Sequence, residues 1–192
     1  ARDNPVLETI DMSYAKTDKN ESFYYAFKQS YKLKNIIFTG ISMENITDTR
    51  YMFYDNDELV SVDLSMFRTP NLVQASYMFY YMQWLTWLDL SSWDTSSVTN
   101  MSSMFYQCSK LVKLDLSNWD TKSATNMKLM FANASNLKII YVSSGFTTWN
   151  VTDSSNMFYS ISSIIWWNWT KYISSHLTWL YANIDSLTQS WY

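Results

Sequence analysis

The chain has 192 residues, 47% of them apolar and 16% charged, enough for one well-buried core and at most a small second lobe. Two glycines, Gly40 and Gly145, leave no room for a glycine-rich phosphate loop, and one cysteine (Cys108) with one histidine (His176) excludes a disulfide framework, a Cys/His zinc site and an iron–sulfur cluster. A formal net charge of −3 without any block of Lys or Arg lacks the basic footprint of a nucleic-acid binder, and no apolar run nears the roughly 18 residues of a membrane span.

An internal repeat organises the chain. Met52-Phe53, Met78-Phe79, Met104-Phe105 and Met130-Phe131 recur every 26 residues, and Met157-Phe158 follows after 27. Leu7, Leu33, Leu59, Leu85, Leu111 and Leu137 form a second column on the same period. Three residues further on lie Ile10, Ile36, Val62, Leu88, Leu114 and Ile140. Two beyond those lie Met12, Phe38, Leu64, Leu90, Leu116 and Val142. Six coils therefore run from about residue 7 to about residue 165.

Within each coil the order of elements is the same. A Leu-x-x-Leu-x-Leu run such as Leu111, Leu114 and Leu116 predicts a short strand with alternate residues pointing inward. Ser13, Thr39, Ser65, Ser91, Ser117 and Ser143 end those strands, and a Ser/Thr/Asp/Asn-rich turn follows. Val98, Met101, Met104, Phe105 and Cys108 then fall on one face of a predicted short helix, with Thr95, Ser96 or Ser97 placed to cap its first turn. Ala124, Met127, Met130, Phe131 and Ala134 repeat that pattern one coil later.

One such strand and helix cannot bury its own apolar face, so neighbouring coils must supply each other's core. The expected fold is an α/β solenoid of leucine-rich-repeat type, right-handed, with a parallel sheet on one face and short helices on the other. Ala15, Asn20 and Ser30 break the pattern in the first coil and mark it as an N-terminal cap of the 1–165 solenoid. Residues 166–192 lack the repeat and are expected to form a C-terminal cap.

The stretch LDLSSWDTSSVTNMSSMFYQCSKL (88–111) and its echo LDLSNWDTKSATNMKLMFANASNL (114–137) resemble the BspA-like leucine-rich repeats of bacterial surface proteins, including many mycoplasma lipoproteins. The resemblance spans about residues 36–192. It implies a secreted or surface-exposed, non-enzymatic protein that adheres to protein or cell-surface ligands, with no catalytic residues to carry over. The closing segment is similar to that family's Gly-rich ending, but Trp166, Trp167, Trp169 and Trp191 stand where glycine is expected.

Two readings of the tryptophans stand open. Trp84 shares its column with Glu58, Lys110 and Asn136, and Trp87 shares its own with Ser61 and Lys113, which are solvent residues. Trp93 and Trp119 share theirs with Phe67 and Ile41, where an aromatic belongs. Trp84, Trp87 and the C-terminal tryptophans are thus either a genuine aromatic surface for binding or glycines whose UGA codons have been written as Trp, and the second reading extends over Trp84, Trp87, Trp149, Trp166, Trp167, Trp169, Trp179 and Trp191. Glycine at about 7% in average proteins makes the present depletion deep.

The middle strand residues are expected to face outward, stacking Asp63, Asp89 and Asp115 at about 4.8 Å. Like charges so placed repel by about 1 kcal/mol per pair in water, so the column is either a cation- or basic-ligand ladder or simply a hydrated face. His176 beside Ser174 and Ser175, with Asp185 downstream, lacks a nucleophile elbow and reads as a structural histidine. Cys108 and the methionine column read as core. The Asn-x-Ser/Thr sequons at Asn20, Asn45, Asn100, Asn133, Asn150 and Asn168 are what chance gives in so Ser-, Thr- and Asn-rich a chain.

Function is therefore expected to be adhesion or recognition at the cell surface or outside the cell, without catalysis, metal or cofactor. Trp84, Trp87, Asp63, Asp89 and Asp115 are the candidate ligand-binding residues. The alternative is a structural subunit that polymerises head to tail through its solenoid ends.

Overall fold

The computed structural model describes residues 3–161 and the backbone of 165–168. Seven short strands follow in chain order: β1 (Thr9–Asp11), β2 (Asn35–Ile37), β3 (Ser61–Asp63), β4 (Trp87–Asp89), β5 (Lys113–Leu116), β6 (Ile139–Val142) and β7 (Ile165–Asn168). Each coil contributes one strand, and every strand pairing is parallel and in the register of the repeat, so that Leu114 faces Ile140 and Val62 faces Leu88. The strands form three small sheets, β1–β2, β3–β4 and β5–β6–β7, rather than the one sheet expected.

The core follows the columns. Leu33, Leu59, Leu85, Leu111 and Leu137 are essentially sealed from solvent, as are Met52, Met78, Met104 and Met130. Phe27, Phe53, Phe79, Phe105, Phe131 and Phe158 form one continuous stack, with successive centroids 5.3–5.6 Å apart. Trp93 and Trp119 are buried and parallel at 6.4 Å, and Cys108 is buried, as their columns imply. Leu7, Ile10 and Met12 of the first coil are less covered. Of the residues that break the pattern there, Ser30 is buried but Asn20 is exposed, so Asn20 is not a core position.

The expected helices are replaced by turns; no helix occurs among the described residues. In residues 100–108 the N–H groups of Met104 and Cys108 donate three residues back, to Met101 and Phe105. Tyr106 likewise donates to Ser103, while the odd-numbered N–H groups leave the coil: Met101, Ser103, Phe105 and Gln107 donate to Asn126, Lys128, Met130 and Ala132 of the next coil at 2.8–2.9 Å. An α-helix commits its interior N–H groups to its own chain and has none to give a neighbour. The alternation needs a left-handed residue every fourth position, and Ser103 (φ 53°) and Gln107 (φ 58°) supply it. Tyr51 and Asp55, Tyr77 and Tyr81, and Leu129 and Asn133 do the same in their coils. A chain turning every four residues presents positions i, i+3, i+4 and i+7 inward just as a helix does, which is why the apolar spacing reads as helical.

Side chains join the coils as well. Thr95, expected as a helix cap, instead accepts the Asp120 N–H (3.0 Å) and donates to the Asp120 carbonyl (2.9 Å) of the next coil. Thr69 does the same to Asp94, and Thr121 to Thr147. Ser96 is turned the other way, bonding the Asp94 carboxylate within its own turn. The two glycines sit where space or backbone demands them: Gly40 has φ 78°, and a Cβ on Gly145 would lie 2.7 Å from the Trp119 carbonyl oxygen. Of the expected C-terminal cap, the backbone of 166–168 continues the strand pairing as part of β7; the rest, with Ser174, Ser175, His176 and Asp185, lies outside the described residues.

Candidate functional site: a tyrosine ladder on the turn face

The left-handed turn residues set up a surface the sequence reading passed over. Tyr51 and Tyr77 precede the core Met of their coils, and Tyr54, Tyr80 and Tyr106 follow the core Phe. Since Met and Phe point inward, these flanking tyrosines are left partly exposed and in line from coil to coil. Two columns result. In the first, Tyr25, Tyr51 and Tyr77 share φ 57–59°, with ring centroids 4.7 Å apart for Tyr25–Tyr51 and 4.6 Å for Tyr51–Tyr77. In the second, Tyr54–Tyr80 and Tyr80–Tyr106 are separated by 5.3 Å and 4.7 Å, each pair within 8° of parallel. Tyr77 and Tyr80 tie the columns together at 5.4 Å.

Cations occupy one end. The Lys28 ammonium lies 4.8 Å from the Tyr25 ring and 5.5 Å from that of Tyr54. The Arg50 guanidinium lies 5.0 Å over Tyr24 while bonding Asp48 at 2.7 Å. Burial, then the neighbouring Tyr77, pushes the Tyr51 phenol up to about 12, and burial with Tyr106 does the same to Tyr80. At neutral pH both stay protonated, as uncharged hydrogen-bond donors on aromatic faces.

At the other end a cavity of about 280 Å³ opens. Tyr77, Ser103, Leu129 and Asn156 of the first column line it, with Tyr80, Tyr106 and Tyr159 of the second. A wider polar groove lies elsewhere, lined by residues such as Lys19, Glu21, Asn45 and Asn71, with no aromatic side chain in it.

The residues singled out from sequence lie on the strand side. Trp87 opens β4 opposite Ser61 and is 50% exposed; Trp84, 52% exposed, precedes that strand and carries the Lys110 ammonium 5.3 Å from its ring. Neither of them, nor Trp149, has the left-handed backbone that favours glycine. Asp63 and Asp89 face each other across β3–β4, but Asp115 pairs with Tyr141, so the three do not make one strand ladder. Each carboxylate is already used: Asp63, Asp89 and Asp115 accept the N–H of Ser65, Ser91 and Ser117 at 2.8–2.9 Å and close the turn after the strand. Among the described residues no cluster of three His, Cys, Asp or Glu is placed to hold a metal, and no helix is long and apolar enough to cross a membrane.

Stacked parallel coils, a phenylalanine spine and a tyrosine-bearing face define a repeat protein whose outer side chains are presented at fixed intervals. The chain belongs to a family described as Mycoplasma protein of unknown function, DUF285, whose pattern matches residues 17–142 and again 82–183. No curated protein and no solved structure matches it.

Proposed function

We propose that the protein is a non-enzymatic recognition module of the BspA-like, leucine-rich-repeat kind, acting outside the cell or on its surface to adhere to protein or cell-surface ligands. The observation that carries this reading is the tyrosine ladder. Phenol rings give large contact area at low conformational cost and retain a polar tip, which is why they are favoured at binding surfaces. Here the stacked coils hold those rings in place before any ligand arrives, reducing the ordering cost of association. The test is adhesion of protein-coated beads to epithelial monolayers and extracellular-matrix proteins, beside beads coated with a Tyr51→Ala/Tyr80→Ala variant. Retention that falls with the variant supports the reading; failure of the native protein to adhere removes it.

Self-assembly into a filament or surface layer is the second reading, and β1 favours it. Among the described residues that strand has a partner on one side only, β2, and an unpaired parallel edge is a template for another chain. Light scattering that finds long, length-dispersed particles supports this alternative.

A further inference from the structure

The tyrosine columns bring phenols of different coils into contact. Tyr51 and Tyr77 have ring centroids 4.6 Å apart and lie 5° from parallel, and Tyr80 and Tyr106 lie 4.7 Å apart at 8°. Backbone bonds between the coils hold each pair in place: the Phe53 N–H donates to the Met78 carbonyl and the Tyr81 N–H to that of Tyr106, both at 2.9 Å. The four rings are partly exposed, and the cavity of about 280 Å³ opens against Tyr77, Tyr80 and Tyr106. Other easily oxidised groups of these coils are shielded, since Met52, Met78, Met104, Cys108 and Trp93 are buried. Met66, Trp84, Trp87 and Trp149 are exposed but stand in other columns.

Charge is distributed unevenly along the ladder. Lys28 lies against Tyr25 and Tyr54, and Arg50 against Tyr24; a cation beside a ring opposes removal of an electron from it. Among the described residues no cation lies over the rings of Tyr51, Tyr77, Tyr80 or Tyr106.

We propose that Tyr51–Tyr77 and Tyr80–Tyr106 are sites of oxidative coupling, at which a haem peroxidase using hydrogen peroxide joins the two phenols of each pair as dityrosine. Each phenol gives up one electron and one proton. The two radicals form a carbon–carbon bond between positions ortho to their hydroxyls, and the ring hydrogens at those positions move to the oxygens. Per link the protein loses two hydrogens, and one hydrogen peroxide becomes two waters. Residues 51 and 77, like 80 and 106, are 26 apart, so each link closes a loop one coil long and ties neighbouring coils covalently. Such a link restricts the unfolded chain and thereby stabilises the stack. The Tyr77–Tyr80 contact, at 5.4 Å and 51°, lies within one coil and braces nothing against its neighbour. No adhesive ligand is required, so this modification is independent of the recognition reading.

The test treats the full chain, at low concentration, with a haem peroxidase and hydrogen peroxide. The expected product is a monomer lighter by two hydrogens per link, with dityrosine fluorescence and a higher urea midpoint than the untreated chain. Peptide mapping should join residue 51 to 77 and residue 80 to 106. Tyr51→Phe keeps a ring in the stack but has no hydroxyl hydrogen to give, so it should lose the first link and keep the second. Tyr106→Phe should do the reverse. The proposal is overturned by a monomer that only gains oxygen or keeps its mass, by links confined to one coil or to pairs of molecules, or by links that leave the urea midpoint where it was. Equal yield of the same two links from the urea-unfolded chain would also overturn it. Thermal unfolding establishes that both Phe variants fold, and the comparison of folded with unfolded chain carries the test if either does not. Native protein that cross-links yet does not adhere to the beads retains this proposal and removes the recognition reading; adhesion without cross-linking does the opposite.

Discussion

The rings of Phe79 and Phe105 lie 5.5 Å apart and within 3° of parallel, one coil stacked on the next. Phe105 also meets Phe131 at 5.6 Å and Trp119 at 6.4 Å, and it is fully buried. Replacing it with Ala removes a ring shared by three coils. The expected loss is about 3–5 kcal/mol, read from the urea midpoint. Phe27→Ala, nearer the end of the stack, is expected to cost less.

Thr95 joins two coils through one oxygen, which both accepts from and donates to Asp120. Thr95→Val keeps the shape and strands the Asp120 N–H and carbonyl in a largely buried place. A loss of about 1–3 kcal/mol is expected, with Thr95→Ser recovering most of it. A valine variant as stable as the native protein would show that water takes over both bonds.

Acid should destabilise the fold through its turn carboxylates. The Ser65 hydroxyl and N–H hold the Asp63 carboxyl below its ordinary 3.8, and Ser13 does the same for Asp11, Lys122 for Asp120 and Ser155 for Asp153. A folded-state value below the unfolded one contributes stability that is complete above the ordinary value and disappears as pH falls through the folded value. The urea midpoint should therefore hold steady down to about pH 4.5 and decline below that. Asp63→Asn retains an acceptor for the Ser65 N–H, so it should change little at pH 7 and make the acid decline shallower.

Cys108 is fully buried, and its thiol lies 3.2 Å from the Phe79 carbonyl oxygen. Burial raises the thiol well above its ordinary range and withholds the thiolate. Iodoacetamide at pH 8 should leave the native protein unmodified and alkylate it fully in denaturant. Rapid labelling of the native protein would mean that this coil opens often.

Trp93 and Trp119 are stacked in the core, whereas Trp84, Trp87 and Trp149 are exposed at positions whose backbone does not call for glycine. A peptide mass map of protein from its own source should find tryptophan at 93 and 119 under either reading of the UGA codons. The peptides containing residues 84, 87 and 149 decide between them, each recoded site being lighter by an indolylmethyl group.

The period, the coil boundaries and nearly every core side chain were legible in the sequence, because burial repeats in columns and each column was readable at five or six positions. The turns were not. Met101, Met104, Phe105 and Cys108 face inward whether the chain coils as a helix or turns every fourth residue, so apolar spacing does not separate the two. What separates them is where the N–H groups of Ser103 and Gln107 go, and that depends on the neighbouring coil. The same attention to inward-facing positions hid the site. Tyr51, Tyr54, Tyr77, Tyr80 and Tyr106 lie one residue outside the Met-Phe columns on the same period, and following them alone would have revealed the ladder. Asp63 likewise reads as a ligand-binding candidate in the sequence, although the Ser two residues later marks the turn its carboxylate closes.

The backbone bonds that Met101, Ser103, Phe105 and Gln107 send to the next coil join neighbouring coils rather than residues within one turn. Tension between the two ends of such a stack loads those links in series, so the weakest gives way first and the others hold. Each coil that detaches releases 26 residues of slack, about 90 Å when extended. A chain tethered at one end and loaded at the other would thus lengthen in steps while its remaining coils kept their shape, absorbing a pull instead of transmitting it whole.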